Sequence, residues 1–206
     1  MNGRLLAPEK DAIAALPEFT RLALPDIRVV STSAQARAAD AELMGVEVLG
    51  FDTESKPTFA RGDVSEGPHV AQFSTLRTAW VFQLHDSDCL RVTAALLRSP
   101  AVRKVGFGLS GDLRQLRNRL GVEPQAVMDL DTVFRERGYR KEVGVKAAAA
   151  ILFGQRFVKS KKVATTNWAN PQLSESQVVY AANDAYAAIR VYAALAADEQ
   201  NALRAG

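Results

Sequence analysis

An apolar segment of this chain, VLGF (48–51), ends abruptly in two acids, Asp52 and Glu54. Side chains alternate between the two faces of a strand, so the two acids share one face and Thr53 lies on the other. Neighbouring carboxylates repel each other unless a cation or a proton lies between them. A divalent cation such as Mg²⁺ would turn that repulsion into binding, because it prefers carboxylate oxygens. A strand that runs out into solvent would leave the same residues, so the pair alone does not decide.

Strand-like and helix-like segments alternate along most of the 206 residues. The last helix is predicted to begin at a capping box, Ser174 to Gln177, and to run to about Leu203. The order of the segments predicts an α/β fold with a central mixed β-sheet flanked by helices. Sheets of this kind carry their sites at the carboxyl ends of strands. The predicted strands are 27–30, 46–54, 69–75, 78–84, 103–107 and 127–130, with the third and fourth forming a hairpin.

Residues 1–26 are interpreted as an N-terminal arm, and residues 27–206 as the domain that it precedes. The arm contains a short predicted helix at 8–16 and two prolines that bracket a connection. It could pack on the domain or on a second subunit, and the sequence leaves both open, as it does the oligomeric state. After the first strand, Ser31 or Ser33 is predicted to cap the next helix.

Composition excludes several classes of protein. Hydrophobic residues make up 48% of the chain, which is typical of a globular protein. No apolar stretch approaches the roughly 20 residues that cross a bilayer, and the first residues lack a secretory signal. With one cysteine, Cys89, and two histidines, we expect neither a disulfide framework nor a zinc cluster. The expectation is a soluble cytoplasmic protein with no membrane segment.

Positive charge is concentrated in one part of the chain. Residues 135–162 contain nine Lys or Arg against two Glu, a local balance of +7 in a chain whose net charge is +3. Residues 98–119 add six basic residues and a single acid. Such blocks are able to neutralise phosphates, although a solvated surface would have the same composition.

Two further acids follow recognisable local patterns. Asp112 falls in the first turn of a helix that follows Gly106-Phe-Gly108, where any protein favours an acid, because the helix dipole is positive there. Tyr180 and Asp184 are four residues apart on the last helix and share a face, surrounded by alanines that allow close packing. Each pattern alone is common in proteins without a site.

Taken in order, the three patterns resemble the DEDD superfamily of 3′–5′ exonucleases, in its tyrosine-containing branch. The first motif is FDTE (51–54), the second is GLSGDLRQL (108–116) and the third is YAANDAYAA (180–188). The stretch 161–188, with the pair Asn167-Trp168 ahead of a Leu-Ser helix start, is similar to ribonuclease D and to the Werner-type exonuclease domain. The match covers roughly residues 27–195.

The resemblance implies a ribonuclease H-like fold and hydrolysis assisted by two divalent metal ions, Mg²⁺ or Mn²⁺. Asp52, Glu54 and Asp184 would hold the first ion, Asp52 and Asp112 would serve the second, and Tyr180 would orient the attacking water. The expected partner is single-stranded or 3′-ended nucleic acid, with DNA favoured over RNA because of the Werner-type likeness. The expected products are nucleoside 5′-monophosphates.

Contacts to nucleic acid are predicted with less support. Thr53, Lys159, Lys161, Lys162 and Trp168 are the candidates, although lysines are often solvated and a tryptophan is more often in a core. The segment Ser55-Lys56-Pro57 departs from relatives that carry an aromatic residue there, so how the 3′-terminal nucleotide is bound stays open.

Two other functions are retained as alternatives: a non-catalytic nucleic-acid-binding module on the same fold, and a phosphohydrolase of small nucleotides.

Overall fold

The structure, a computed structural model, describes residues 5–58 and 66–205. The strands are β1 (Ile27–Val30), β2 (Val48–Glu54), β3 (Val70–Ser74), β4 (Ala79–Gln83), β5 (Arg103–Gly106) and β6 (Val127–Asp129). The helices are α1 (Lys10–Ala14), α2 (Ser33–Leu43), α3 (Ser87–Arg98), α4 (Ser110–Leu120), α5 (Leu130–Glu136), α6 (Val145–Phe153), α7 (Lys161–Ala164) and α8 (Glu175–Ala205), with a 3₁₀ turn at Leu24–Asp26. Part of the predicted loop 55–68 and the first four residues of the arm lie outside the described residues. Within the described residues, no helix is long and apolar enough to cross a membrane.

One six-stranded sheet runs through the domain in the order β1-β4-β3-β2-β5-β6. The strand β3 is antiparallel to both of its neighbours, β2 and β4, whereas the other pairings are parallel. The predicted α/β class, the mixed sheet and the hairpin of β3 and β4 are therefore confirmed. The carboxyl end of β2 lies at the centre of the sheet, beside β3 and β5.

Two apolar layers cover the two faces of the sheet. The long helix α8 crosses one face, where its alanines pack against β2, β3 and β4 together with residues of α5 and α6. The helices α2, α3 and α4 cover the opposite face, against Phe51, Phe73 and Phe82. The carboxyl end of β2 meets the first turns of α8 between these layers. The polar side chains at this place are therefore held by packing on both sides.

A glycine allows α8 to approach the sheet unusually closely. A Cβ atom added to Gly50 would lie 2.0 Å from the Ala185 carbonyl oxygen and 3.1 Å from Ile189 Cβ. No side chain fits at that distance, so Gly50 is where the backbones of β2 and α8 touch. The contact fixes the helix two residues before Asp52 and one residue after Asp184.

Local signals at the helix ends explain most of the boundaries. The capping box of α8 is confirmed: Ser174 N donates to Gln177 Oε1 at 3.0 Å and Gln177 N donates to Ser174 Oγ at 3.3 Å. The prediction of Ser31 or Ser33 as the cap of α2 is wrong. Thr32 is the cap, because the helix begins at Ser33 and the Thr32 hydroxyl accepts the Gln35 N–H.

The N-terminal arm packs onto the domain. Phe19 and Leu22 are buried in the same apolar layer as α8. A short parallel bridge joins the arm to the segment after α6: Phe19 N donates to Arg156 O at 3.0 Å, and Arg156 N donates to Pro17 O at 2.8 Å. The arm is thereby attached through both its side chains and its backbone.

The close contact at Gly50 gives the first prediction. We expect Gly50→Ala to lower the free energy of unfolding by about 2–3 kcal/mol or more, because α8 must move away from β2 to admit the methyl group. Chemical denaturation monitored by circular dichroism measures this. Gly45→Ala is the matched control, since a Cβ there meets nothing within 4 Å. Equal stability of the two variants would contradict the close packing.

Candidate active site

The end of β2 carries Asp52 and Glu54 on the face that α8 covers. Gly50 lies on the same face, two residues earlier, and meets the α8 backbone. The backbone N–H of Thr53 donates to Asp52 Oδ1 at 2.9 Å, which fixes the orientation of that carboxylate. Both acids are only partly exposed. A carboxylate pair is therefore held at the carboxyl end of a central strand.

Asp112 reaches the same place from the other side of the sheet. It lies in the first turn of α4, and its Oδ1 accepts a hydrogen bond from the Thr53 hydroxyl. The turn before α4 is held by Asp129, whose two oxygens accept the N–H groups of Gly108 and Leu109 at 3.1 and 2.9 Å. Gly106 makes room for this turn, since a Cβ there would lie 2.7 Å from Leu109 Cδ2 and 2.5 Å from Phe51 O of β2.

The third element is α8, which supplies Tyr180 and Asp184. Asp184 is 5% exposed, and its Oδ2 forms an ion pair with Lys159 Nζ at 2.8 Å. The Lys159 ammonium also lies over the Tyr180 ring, 5.9 Å from its centre. Small neighbours on the helix, Ala181 and Ala185, are completely buried and let α8 pack closely enough to bring these groups to β2.

Electrostatic coupling shows that the acids share one site. Burial raises the pKa of Asp52 to about 8, with Asp184 and Asp112 adding to the shift and Lys159 opposing it. Burial and the Asp52 charge raise the pKa of Glu54 to about 9. Burial likewise raises the pKa of Asp112 and of Asp184, against the Thr53 hydrogen bond and the Lys159 charge respectively. The four carboxyl groups cannot all be ionised together unless more positive charge enters the site.

This donor set fits a divalent cation in its chemistry. Four carboxyl groups, one buried and three partly buried, offer hard oxygen ligands, and the buried one, Asp184, has an oxygen that is engaged only by a lysine ammonium. In the described part of the chain, no group of three His, Cys, Asp or Glu side chains is arranged to hold a metal ion as the side chains stand. A cation held by these acids would require the carboxylates to adjust, and it would compete with Lys159 for Asp184.

Tyr180 is held as a neutral phenol. It is half-buried, and burial together with the nearby Asp184 raises its pKa above the ordinary value of 10. Trp168 supports it from behind, with ring centres 6.0 Å apart. A phenol in this state is suited to donate or accept a hydrogen bond and not to act as a base.

The remaining candidates lie in different environments. Thr53 is 8% exposed and binds Asp112, so its hydroxyl is used inside the protein. Trp168 is 1% exposed and donates its Nε1–H to Ala164 O at 3.1 Å. Lys161 and Lys162 are exposed on the short helix α7, and Lys159 points inward to Asp184. Of the three lysines, one therefore belongs to the carboxylate cluster and two to the surface.

Sequence reasoning missed three residues that shape this site. Asp129 was passed over although it lies near the end of a predicted strand, VMDL (127–130), as Asp52 does in its own strand. Asn183 precedes Asp184 and binds the backbone of Leu22 in the arm, at 2.8 Å to the N–H and 3.2 Å to the carbonyl. Arg21 lines a cavity beside Tyr180 and Asp184. No local pattern predicts the last two, because their partners are more than 130 residues away.

A central mixed sheet, crossed by a helix that brings acids to the end of its central strand, is the architecture of ribonuclease H-like proteins. More particularly, a family model described as 3′–5′ exonuclease matches residues 27–198, which is most of this chain. The chain therefore belongs to the 3′–5′ exonuclease family, and the resemblance to DEDD exonucleases read from the three motifs is confirmed.

Named relatives agree with this membership. The bifunctional 3′–5′ exonuclease/ATP-dependent helicase WRN of Mus musculus is 26% identical over 148 residues, which are 71% of this chain and 11% of that protein. A 3′–5′ exonuclease of Arabidopsis thaliana is 28% identical over 153 residues, which are 73% of this chain and 53% of that one. The matched part thus spans about half or less of the length of these relatives.

Solved structures share the fold. The Trypanosoma brucei RNase D complex with RNA U12 superimposes with a TM-score of 0.72 at 20% identity, and the match covers 90% of this chain and 64% of that one. The predicted ribonuclease H-like arrangement is confirmed by this likeness.

The raised carboxyl pKa values predict how stability depends on pH and metal. Asp52 and Glu54 keep their protons in the folded state at pH values where the unfolded chain has lost them. The metal-free protein should therefore lose stability as pH rises from about 4 to about 8. Because a divalent cation favours the ionised form, we expect Mg²⁺ to raise Tm by several degrees at about pH 8 and by less at about pH 6.

Differential scanning fluorimetry across this pH range, with Mg²⁺ and with EDTA, makes the measurement. The control is Asp52→Asn, which removes one of the titrating groups and should flatten the pH dependence of Tm in EDTA. An Mg²⁺ effect that is the same at every pH, or identical in the variant, would contradict the prediction.

The ion pair predicts that the Lys159 ammonium and a divalent cation compete for Asp184. We expect Lys159→Met to lower Tm in EDTA, because Asp184 loses its counter-charge, and to strengthen Mn²⁺ binding on the order of tenfold. Isothermal titration calorimetry measures the affinity. Lys161→Met, on the exposed surface of α7, is the control and should bind Mn²⁺ as the wild type does. Weaker Mn²⁺ binding by Lys159→Met would show that the lysine assists the cation instead.

Proposed function

We propose that this chain is a metal-dependent 3′–5′ exonuclease that removes nucleotides from the 3′ end of single-stranded nucleic acid. The observation that carries the proposal is the convergence of four carboxyl groups, one buried and three partly buried, and a phenol, from β2, α4 and α8, in a member of the 3′–5′ exonuclease family. The functional assignments of Asp52, Glu54, Asp112, Tyr180 and Asp184 are part of the proposal.

Two divalent ions, Mg²⁺ or Mn²⁺, are proposed as the cofactors. Asp52, Glu54 and Asp184 would hold one of them, and Asp112, with a share of Asp52, would serve the other. Bound ions of this kind stabilise the attacking and the leaving oxygen of an in-line displacement at phosphorus. The protein contributes the rigidity of the ligands: Asp52 is oriented by the Thr53 N–H, and Asp112 by the Thr53 hydroxyl.

In the proposed reaction, water attacks the phosphorus of the last phosphodiester bond. The bond from phosphorus to the 3′ oxygen of the preceding nucleotide breaks, that oxygen takes up a proton, and a nucleoside 5′-monophosphate is released. Tyr180 orients the water through a hydrogen bond, because its raised pKa keeps the phenol neutral. Trp168 and the buried alanines of α8 fix the ring at this place. The positioning of the water is the protein's main part in the step.

DNA is proposed as the preferred strand, as the Werner-type likeness of residues 161–188 suggests. The ribonuclease D relatives favour the opposite preference, since the Trypanosoma brucei enzyme was solved with RNA. Discrimination would require contacts to the ribose 2′-hydroxyl. A direct competition between matched DNA and RNA strands therefore decides this point.

The test of activity uses 5′-labelled single-stranded DNA and RNA of one sequence, with Mg²⁺, Mn²⁺ or EDTA, resolved on a denaturing gel. We expect a ladder that shortens from the 3′ end, with no digestion in EDTA and faster digestion of DNA. Asp52→Asn and Asp184→Asn should each reduce kcat by 10³-fold or more, and Tyr180→Phe by about 10²-fold.

Matched controls separate loss of chemistry from loss of fold. Asp26→Asn removes an acid from the 3₁₀ turn, outside the site, and should leave the rate unchanged. Circular dichroism should show all variants folded. Full activity in a folded Asp52→Asn protein would refute the site. Binding of the strand without digestion under any metal would favour the non-catalytic module, and turnover of mononucleotides alone would favour a small-nucleotide phosphohydrolase.

A further inference from the structure

The N-terminal arm reaches the candidate active site, although it precedes the residues that the family model matches. A cavity of about 200 Å³ lies beside the carboxylate cluster. Its walls include Tyr180 and Asp184, and they also include Arg21 of the arm. A residue from outside the matched domain therefore lines the same space as two of the proposed catalytic residues.

Arg21 is held in place by the arm's attachments on both sides of it. On one side, Phe19 is buried and its backbone pairs with Arg156. On the other side, the Leu22 N–H and carbonyl bind the Asn183 side-chain amide at 2.8 and 3.2 Å. Asn183 itself is 2% exposed and is the residue directly before Asp184. The position of Arg21 is thus fixed relative to Asp184.

The guanidinium of Arg21 is oriented by its neighbours without a direct ion pair; burial raises the pKa of Asp184, and the charge of Arg21 is among those that oppose the rise. Its Nη2 donates to Val158 O at 3.1 Å, and its carbon lies 6.0 Å from the centre of the buried Phe157 ring. Within residues 5–58 and 66–205, no acidic side chain lies within ion-pair distance, 4.0 Å, of it. An arginine has five N–H donors, so donors remain for a ligand in the cavity.

Other groups of the cavity suit a phosphate oxygen. Ser160 and Ser176 contribute hydroxyl groups to the lining, and Ser176 lies in the first turn of α8, where the helix dipole favours an anion. An arginine fork matches two oxygens of a phosphodiester at once. Since Asp184 borders both the cavity and the carboxylate cluster, one strand is able to occupy both.

We propose that Arg21 forms a binding site for a backbone phosphate of the nucleic-acid strand, next to the phosphodiester that is cut. The arm is then a part of the substrate-binding surface and not only a packing element. This inference rests on the proposed exonuclease function, because that function supplies the strand. It also assigns the arm a role that the matched family region does not contain.

The test measures binding of a 5′-fluorescein single-stranded oligonucleotide by anisotropy, in EDTA so that the strand is not cut, over a series of salt concentrations. We expect Arg21→Gln to weaken binding about fivefold and to reduce the slope of log K against log salt by about 0.7, as the loss of one phosphate contact to a single strand requires. Arg21→Lys should retain the slope, because it keeps the charge.

Arg77→Gln is the matched control: it removes one exposed arginine from the turn between β3 and β4, at the end of β3 away from Glu54, and should bind as the wild type does. In Mg²⁺, Arg21→Gln should raise KM and leave kcat within about twofold, because the contact is the same before and during the reaction. Its Tm should stay close to that of the wild type.

Other results would overturn the Arg21 proposal, each in a different way. An Arg21→Gln protein with the wild-type salt slope and KM, in an enzyme that digests the strand, would overturn the phosphate site and leave the exonuclease intact. The same slope with a lowered Tm would reduce Arg21 to a support for Val158. If the Arg21→Gln protein bound the strand as the wild type does, but was inhibited less by added nucleoside 5′-monophosphate, Arg21 would bind the product. That result would contradict this proposal. A wild-type protein that neither binds nor digests the strand would remove both proposals.

Discussion

Four carboxyl groups, one buried and three partly buried, lie together where β2, α4 and α8 meet, and the surrounding structure depends on how this negative charge is held. Each group comes from a backbone that is fixed independently: β2 at the centre of the sheet, α4 through the turn bound by Asp129, and α8 through its contact with Gly50. Rigid supports of this kind keep like charges close at a cost to stability, a cost that a bound cation removes. Under the proposed function, a divalent metal ion would lower this cost.

Lys159 compensates part of this charge in the absence of metal. Its ammonium lies against Asp184, and although burial opposes it, the neighbouring Asp184 and Asp52 raise the pKa of Lys159 above its ordinary value. A lysine that is charged, internal and attached to a flexible four-carbon stem is able to leave when a better cation arrives. The ion pair with Asp184 distinguishes Lys159 from its exposed neighbours Lys161 and Lys162, and it would couple the stability of the protein to the proposed metal binding.

Much of this was predictable from local pattern, and the rest depended on distant contacts. Strand periodicity predicted that Asp52 and Glu54 share one face of β2, and helical spacing predicted that Tyr180 and Asp184 share one face of α8. Each of these predictions used residues within a few positions of each other.

Contacts between remote segments were not predictable in the same way. The bond of Thr53 to Asp112 joins residues 59 positions apart, and that of Asn183 to Leu22 joins residues 161 apart. Trp168 was a candidate for contact with nucleic acid because of its motif, but it is buried, as tryptophan side chains often are. The inward turn of Lys159 depends on the three-dimensional position of Asp184, which a count of basic residues between 135 and 162 does not contain. Tertiary packing decided these cases.

The central claim is that these carboxylates form a single metal centre, and anomalous diffraction from a crystal soaked in Mn²⁺ tests it most directly. The account predicts manganese peaks bounded by Asp52, Glu54, Asp112 and Asp184, with Lys159 Nζ displaced from Asp184. Manganese bound only elsewhere on the protein, or a Lys159–Asp184 pair that persists at saturating Mn²⁺ with no peak between the acids, would contradict it.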